Sequence, residues 1–193
     1  MDSILLQKEY TIVIDAGDFT DNRVIDYLQK MKVSHKDVAV ATHPDADHIG
    51  QLNNVLRNFD VEELWMSGNE SKSDTFQNVL QAIEEKGIAY EEPRMGYEYE
   101  FGPMGIKILY PKSITGTTND ESISLRMTFG DMNFVLTWNA PQKSELNMID
   151  RGADLKATIL LRQSRRREGC NLIRCDETIV SENVQLVVGS KLT

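Results

Sequence analysis

Short apolar runs and amphipathic stretches alternate from the start of the chain. Ile4-Leu5-Leu6 and Thr11-Ile12-Val13-Ile14 flank the polar turn Gln7-Lys8-Glu9, a pattern that predicts a β-hairpin. From Asp21, a candidate N-cap, the apolar positions Val24, Ile25, Leu28 and Met31 recur at helical spacing. Val38-Ala39-Val40-Ala41 is apolar without interruption, as expected of a strand buried on both faces. The pattern then predicts a helix through Ile49, Leu52, Val55 and Leu56 and a strand at Leu64-Trp65-Met66. A further helix carries Phe76, Val79, Leu80 and Ile83 and stops at Gly87.

After Pro93 strands dominate. Tyr97 to Phe101, Ile106 to Tyr110, Ile123 to Thr128 and Phe134 to Thr137 are separated by Gly-Pro, Gly-Thr-Thr-Asn and Gly-Asp turn signals. Pro141 opens a helix expected to turn Leu146 and Ile149 inward, and Ala157 to Leu161 reads as one more buried strand. Trp65, Phe76, Phe134 and Tyr110 fall at core positions. No internal repeat occurs, and the order of elements predicts an α/β fold of two sheets sandwiched between helices.

Composition narrows the class without naming a function. With 193 residues, 40% hydrophobic and 26% charged, the chain is long enough for one ordinary domain and excludes collagen, coiled coil and a disordered tail. No run of eighteen apolar residues occurs, and Met1-Asp2-Ser3 lacks the basic-then-apolar start of an export signal, so the expected location is soluble and cytoplasmic. Cys170 and Cys175 have no histidine near them and read as plain thiols. The net charge of −9 is uneven: residues 1–150 carry 13 basic against 25 acidic side chains, while residues 151–193 carry 8 against 5. Such an acidic body argues against holding nucleic acid by charge alone, so a polyanionic substrate would need metal ions to mask it.

Candidate chemistry concentrates in Thr42-His43-Pro44-Asp45-Ala46-Asp47-His48-Ile49-Gly50, between the buried strand and the next helix. Two of the three histidines and two aspartates lie within six residues, at the carboxyl end of a strand, where open α/β sheets place their sites. Imidazole and carboxylate at that density form a ligand set for zinc or manganese. The plainer alternative is that Asp45 or Asp47 caps the helix and His48 packs beneath it. Capping accounts for one aspartate and leaves three polar side chains unexplained.

His43-x-Asp45-x-Asp47-His48, preceded by Ile14-Asp15-Ala16-Gly17, resembles the metallo-β-lactamase superfamily, in the variant with aspartate in place of the middle histidine. The phrase is most similar to the metallo-hydrolase domain of ComEC-type competence proteins, and the likeness continues through Thr118-Asn119-Asp120-Glu121-Ser122, Phe134 to Thr137 and Ser144-Glu145. The resemblance implies an αββα sandwich over residues 1–161, incomplete at the amino terminus, followed by a divergent basic tail over 162–193. It also implies a two-metal site with His43 and Asp45 on one divalent ion and Asp47 and His48 on the other, Asp47 and Asp120 being the catalytic carboxylates. Two such ions lower the pKa of bound water enough to supply a nucleophile at neutral pH. Asp15 and Asn119 would brace the ligands from behind. The implied activity is hydrolysis of a phosphodiester, with nucleic acid as the candidate substrate.

Three departures from the resemblance set expectations of their own. The family's Leu-Thr-Gly-Asp-Ala reads Leu136-Thr137-Trp138-Asn139-Ala140 here, so the bridging aspartate is Asn139, a weak or lost ligand, and Trp138 stands where the family has glycine. No histidine follows His48, so the family's late histidine ligand is absent; at most one tightly held metal is expected. Where that ligand would fall stands Arg162-Gln163-Ser164-Arg165-Arg166-Arg167, read as the product of a frameshift near residue 158, a surface arginine cluster or a phosphate clamp. The family pattern also begins one strand earlier, which leaves an edge strand open to self-association. These departures make a catalytically inactive family member the alternative to a working hydrolase. A basic nucleic-acid-binding module is disfavoured by the acidic body and the lack of aromatics near the arginines.

Overall fold

A computed structural model describes residues 3–7, 10–20, 22–138, 140–162 and 175–177. These form two compact units, residues 3–92 and residues 93–177.

The first unit is built on a five-stranded sheet in the order β1-β2-β3-β4-β5. Its strands are β1 (Ser3–Gln7), β2 (Tyr10–Ile14), β3 (His35–Ala41), β4 (Asp60–Met66) and β5 (Ala89–Glu91). The expected hairpin is present: β1 and β2 pair antiparallel, whereas β2, β3, β4 and β5 run parallel. Parallel neighbours need crossovers, and the helical stretches supply them. These are α1 (Arg23–Lys30), α2 (Ala46–Ile49), α3 (Leu52–Asn58) and α4 (Asp74–Lys86). Val13, Ala39, Ala41 and Leu64 from the sheet pack with Leu28, Leu52, Val55, Leu56 and Val79 from the helices. The alternate positions Ile12, Ile14, Val38, Val40 and Trp65 are buried as well, which explains the continuous apolar runs. Helix α4 begins at Ser73, whose hydroxyl accepts from the Phe76 N–H at 3.3 Å, and ends at Gly87 in the left-handed region, φ +64°.

Several local expectations need correction. Helix α1 is preceded by Asn22 at the N-cap, with no capping hydrogen bond from its side chain; Asp21 lies outside the described residues. The single helix expected through Ile49 to Leu56 is two, broken at Gly50-Gln51. A Cβ at Gly50 would lie 2.2 Å from the Phe19 backbone N, 2.5 Å from the Asp18 carbonyl carbon and 2.6 Å from the Ala46 carbonyl oxygen. Only glycine admits the 17–19 segment so close, and the Gly50 N–H donates to the Gly17 carbonyl at 2.7 Å.

The second unit carries a six-stranded sheet in the order β11-β10-β9-β8-β7-β6. It comprises β6 (Glu98–Phe101), β7 (Met104–Tyr110), β8 (Ser124–Phe129), β9 (Met132–Trp138), β10 (Ala157–Arg162) and β11 (Cys175–Glu177). Strands β6 to β9 form an antiparallel meander, and β10 joins β9 in parallel after helix α5 (Gln142–Asp150). Leu109, Val135, Met148, Leu155, Ala157 and Leu160 share one core. Helix α5 buries Ser144, Glu145 and Met148, while Leu146 and Ile149, expected inward, are exposed. The inward face is polar because Ser144 Oγ donates to the Asp120 carbonyl at 3.0 Å, tying the helix to the preceding turn. Among the described residues, no helix is long and apolar enough to cross a membrane.

Candidate metal centre

The loop that follows β3 is organised from behind by Asp15, at the end of β2. Asp15 is fully buried and holds φ +57°, a left-handed conformation that aspartate adopts more readily than most residues. Its N–H donates to the Val40 carbonyl at 2.8 Å, and the next N–H, of Ala16, donates to the His48 carbonyl at 2.7 Å. The Asp15 carboxylate therefore points along the carboxyl end of β3. Oδ1 accepts from the Thr42 N–H at 2.9 Å, and the Thr42 hydroxyl donates to Oδ2 at 2.8 Å. The same Oδ2 accepts from His48 Nδ1 at 2.7 Å.

This network assigns both imidazole tautomers. Because Asp15 can only accept, the His48 proton on this side sits on Nδ1. The Thr42 hydroxyl spends its own proton on Asp15, so it accepts from His43 Nδ1 at 3.0 Å. Both rings thereby turn Nε2 forward: His43 Nε2 stands 3.6 Å from Asp45 Oδ2, and His48 Nε2 stands 3.8 Å from Asp47 Oδ2. The ring centroids are 3.9 Å apart. The imidazoles are wholly buried, whereas Asp45 and Asp47 have side chains 38% and 42% exposed, forming the solvent rim.

The alternative of simple capping does not describe Asp45. It occupies the N-cap of α2 with extended backbone, yet its side chain makes no capping hydrogen bond and lies toward His43. Burial, then the neighbouring His48, pushes the His43 imidazole down to about 4, so it is neutral at pH 7. Burial also opposes charge on His48, but the charge and hydrogen bond of Asp15, with Asp47 beyond, hold it above the ordinary histidine value.

These donors fit divalent ions. With metal–ligand bonds of about 2.1 Å, two donors on one tetrahedral ion stand about 3.4 Å apart, close to both imidazole–carboxylate separations. At His43, the neutral Nε2 facing the Asp45 oxygen places two lone pairs against each other, an arrangement a shared cation relieves. Each loop pair supplies two donors. Among the described residues, three such ligand atoms converge within 4.8 Å of one another only at His35, Asp37 and Glu62, away from this loop.

Against known families, residues 2–130 match the model described as "Metallo-beta-lactamase superfamily". The chain belongs to that superfamily. It is 27% identical over 138 residues to "ComE operon protein 3" of Bacillus subtilis (strain 168), covering 71% of this chain and 18% of that protein, so the chain spans about a fifth of the relative's length. Among solved structures it resembles the metallo-beta-lactamase fold protein YhfI from Bacillus subtilis, with TM-score 0.52, 17% identity, and 81% of this chain and 60% of that one covered. It resembles the Rm3 metallo-beta-lactamase with TM-score 0.57 and 13% identity, over 82% and 70% of the two chains. At these identities the structures establish the α/β fold of the superfamily.

The remaining expected site residues belong to the second unit. Asn119 and Asp120 lie in the turn before β8, where their backbone carbonyls accept from Ser122 Oγ and Ser144 Oγ, each at 3.0 Å. Asn139 lies outside the described residues, as do Arg165 to Arg167. Trp138 is 1% exposed with φ +38°, so this position carries a buried indole on a left-handed backbone that favours glycine. Sequence reasoning missed the role of Glu121 in this turn. Its buried carboxylate accepts from the N–H groups of Thr115, Gly116 and Thr117 at 2.6, 3.1 and 3.1 Å, organising the loop that carries Asn119 and Asp120. A carboxylate a few residues beyond a Thr-Gly-Thr turn was the available signal.

Proposed function

We propose that the chain is a divalent-metal-dependent hydrolase that cleaves phosphodiesters, with DNA, in keeping with the resemblance to ComEC-type competence proteins, as the candidate substrate. The observation that carries the reading is the double tautomer lock: one buried carboxylate, Asp15, fixes both imidazoles so that each Nε2 meets an aspartate oxygen. His43 with Asp45 and His48 with Asp47 would hold the ions. Bound there, zinc or manganese would polarise the phosphoryl group and acidify water to supply the nucleophile. His43, neutral at pH 7, offers its lone pair without competition from a proton. Asp45 and Asp47, at the rim, remain open to solvent and can accept a proton from attacking water.

The test is hydrolysis of bis-p-nitrophenyl phosphate and of single-stranded DNA by the chain loaded with Zn2+ or Mn2+. Activity should vanish in His48→Ala and in chelator. Metal-loaded protein with no turnover would refute the hydrolase reading. A second reading, a folded but catalytically silent member holding one metal, is favoured by Trp138-Asn139 in place of Gly-Asp and by the absence of any histidine after His48. Under it, Asn139→Asp tightens metal binding more than it raises turnover.

A further inference from the structure

A second cluster of potential metal ligands lies at the opposite end of β3, where His35 stands about 20 Å along the strand from Ala41, its last residue, at 3.3 Å per residue. His35 on β3 is the register partner of Asp60 on β4, and Asp37 and Glu62 follow two residues later on their strands. Strand alternation puts all four on one face, so three carboxylates and one imidazole share a small patch. Lys36, between His35 and Asp37, turns to the other face, where its Nζ donates to the Val33 carbonyl at 2.8 Å and lies 3.6 Å from the Phe59 ring centre. It therefore does not stand among the carboxylates on their own face.

The hydrogen bonds here repeat the wiring of the catalytic loop. Asp60 Oδ2 takes the His35 Nδ1 proton at 2.7 Å, which leaves Nε2 as the acceptor nitrogen. Nε2 then faces Asp37 Oδ1 at 3.9 Å and Glu62 Oε2 at 3.8 Å. Asp37 is held in place from outside the cluster, because its other oxygen accepts from the Thr11 N–H at 2.6 Å. One ligand atom each from His35, Asp37 and Glu62 lies within 4.8 Å of the others. A metal-bound histidine whose second ring nitrogen is held by a carboxylate is a recurrent arrangement, and here Asp60 supplies that carboxylate.

We propose that His35, Asp37 and Glu62 form a separate surface site for a divalent cation of the zinc or manganese class, with Asp60 as the positioning residue and water completing the coordination. One imidazole and two carboxylates are the donor set for such ions. The ion clamps β3 to β4 at the end remote from the catalytic loop, and it adds one equivalent to any metal count made on the chain. The same carboxylates also stabilise a proton on Nε2, so the competing state is an imidazolium held by ion pairs alone.

The full chain, labelled with 15N in its three histidines, separates these states by NMR during titration with Zn2+. The His35 signals, assigned with His35→Gln, should show Nε2 moving on addition of zinc while Nδ1 stays protonated. Calorimetry should show His35→Gln losing one zinc equivalent, and Glu62→Gln and Asp60→Asn binding it about tenfold more weakly. Asp45→Asn should keep the His35 response, which separates this site from the loop whatever the fate of the hydrolase reading. A His35 Nε2 that remains protonated and indifferent to zinc, or a His35→Gln chain with wild-type stoichiometry, overturns the proposal.

Discussion

Replacing Asp15 by asparagine changes the wiring of the metal loop with almost no change in shape. The two carboxylate oxygens have distinct donors: Oδ1 receives the Thr42 N–H at 2.9 Å and Oδ2 receives His48 Nδ1 at 2.7 Å. An amide has one oxygen, so one of those donors must face an NH2 group. If the NH2 faces Thr42, a buried N–H is stranded at a cost of about 1–3 kcal/mol. If it faces His48, the ring is driven to the other tautomer, and the proton moves to Nε2, where the lone pair toward Asp47 is lost. Asparagine tolerates a φ of +57° at least as well as aspartate, so backbone strain does not confuse the result.

Partners that orient a metal ligand typically contribute 10–100-fold to affinity, so Asp15→Asn should bind Zn2+ at the loop about 10- to 100-fold more weakly. Read at His48 itself, above its raised pKa, 15N chemical shifts of the imidazole should report Nδ1 protonated in the wild type and, where the variant's NH2 faces the ring, Nε2 protonated instead. A variant that keeps the wild-type tautomer and binds zinc at the loop within threefold of the wild type would refute the claim that Asp15 sets the site.

Three further changes have definite outcomes. Gly50→Ala puts a methyl group against the Phe19, Asp18 and Ala46 backbones and should lower stability by about 3 kcal/mol in denaturant melts; a loss below about 1 kcal/mol would show that the 17–19 segment yields freely. Lys36 is buried, and burial lowers its pKa to about 8 against about 10.5 for an unfolded lysine. The unfolded chain therefore holds more protons between those values, and stability should rise with pH there by at most about 3 kcal/mol, a limb absent in Lys36→Met and measured by urea unfolding. For Glu121, burial raises the pKa, but the hydrogen bonds from Thr115, Gly116 and Thr117 outweigh it and hold the carboxyl below its ordinary 4.5. Its contribution is complete above about 4.5 and lost as pH falls through the lower folded value, so the acid limb of a pH–stability profile should flatten in Glu121→Gln.

What could be read from the sequence follows from how far apart the causes lie. The clustering of His43, Asp45, Asp47 and His48 was legible because these residues are adjacent in the chain, and Asp15 because it ends an apolar strand in the phrase Ile14-Asp15-Ala16-Gly17. The break between α2 and α3 was not, since its cause is the backbone of residues 17–19, some thirty positions earlier. The expected strand began at Val38, whereas β3 begins at His35. His35-Lys36-Asp37 is strand only because Lys36 returns its ammonium to Val33 over Phe59 and Asp37 accepts from Thr11 on the next strand. Strand β5 carries no apolar run, its three residues being exposed or half-buried at a sheet edge. The inward face of α5 misled because hydrophobicity marks the core, whereas Ser144 and Glu145 are buried there instead of Leu146 and Ile149.

The two ends of β3 use one device under different dielectric conditions. In both places a carboxylate captures the Nδ1 proton and turns Nε2 toward aspartate or glutamate oxygens. At the loop the imidazoles are wholly buried, so attraction between an ion and its carboxylates is weakly screened; at His35 the side chain is 46% exposed and water competes. Ions should therefore load at the loop before the strand's far end. The first 150 residues carry twelve more acidic than basic side chains, so under the proposed function a phosphodiester would meet a repulsive surface until cations occupied the rim of Asp45 and Asp47. On this reading the order of assembly is fixed by charge: cation first, polyanion second, with the metal acting as the substrate's point of attachment as well as its activator.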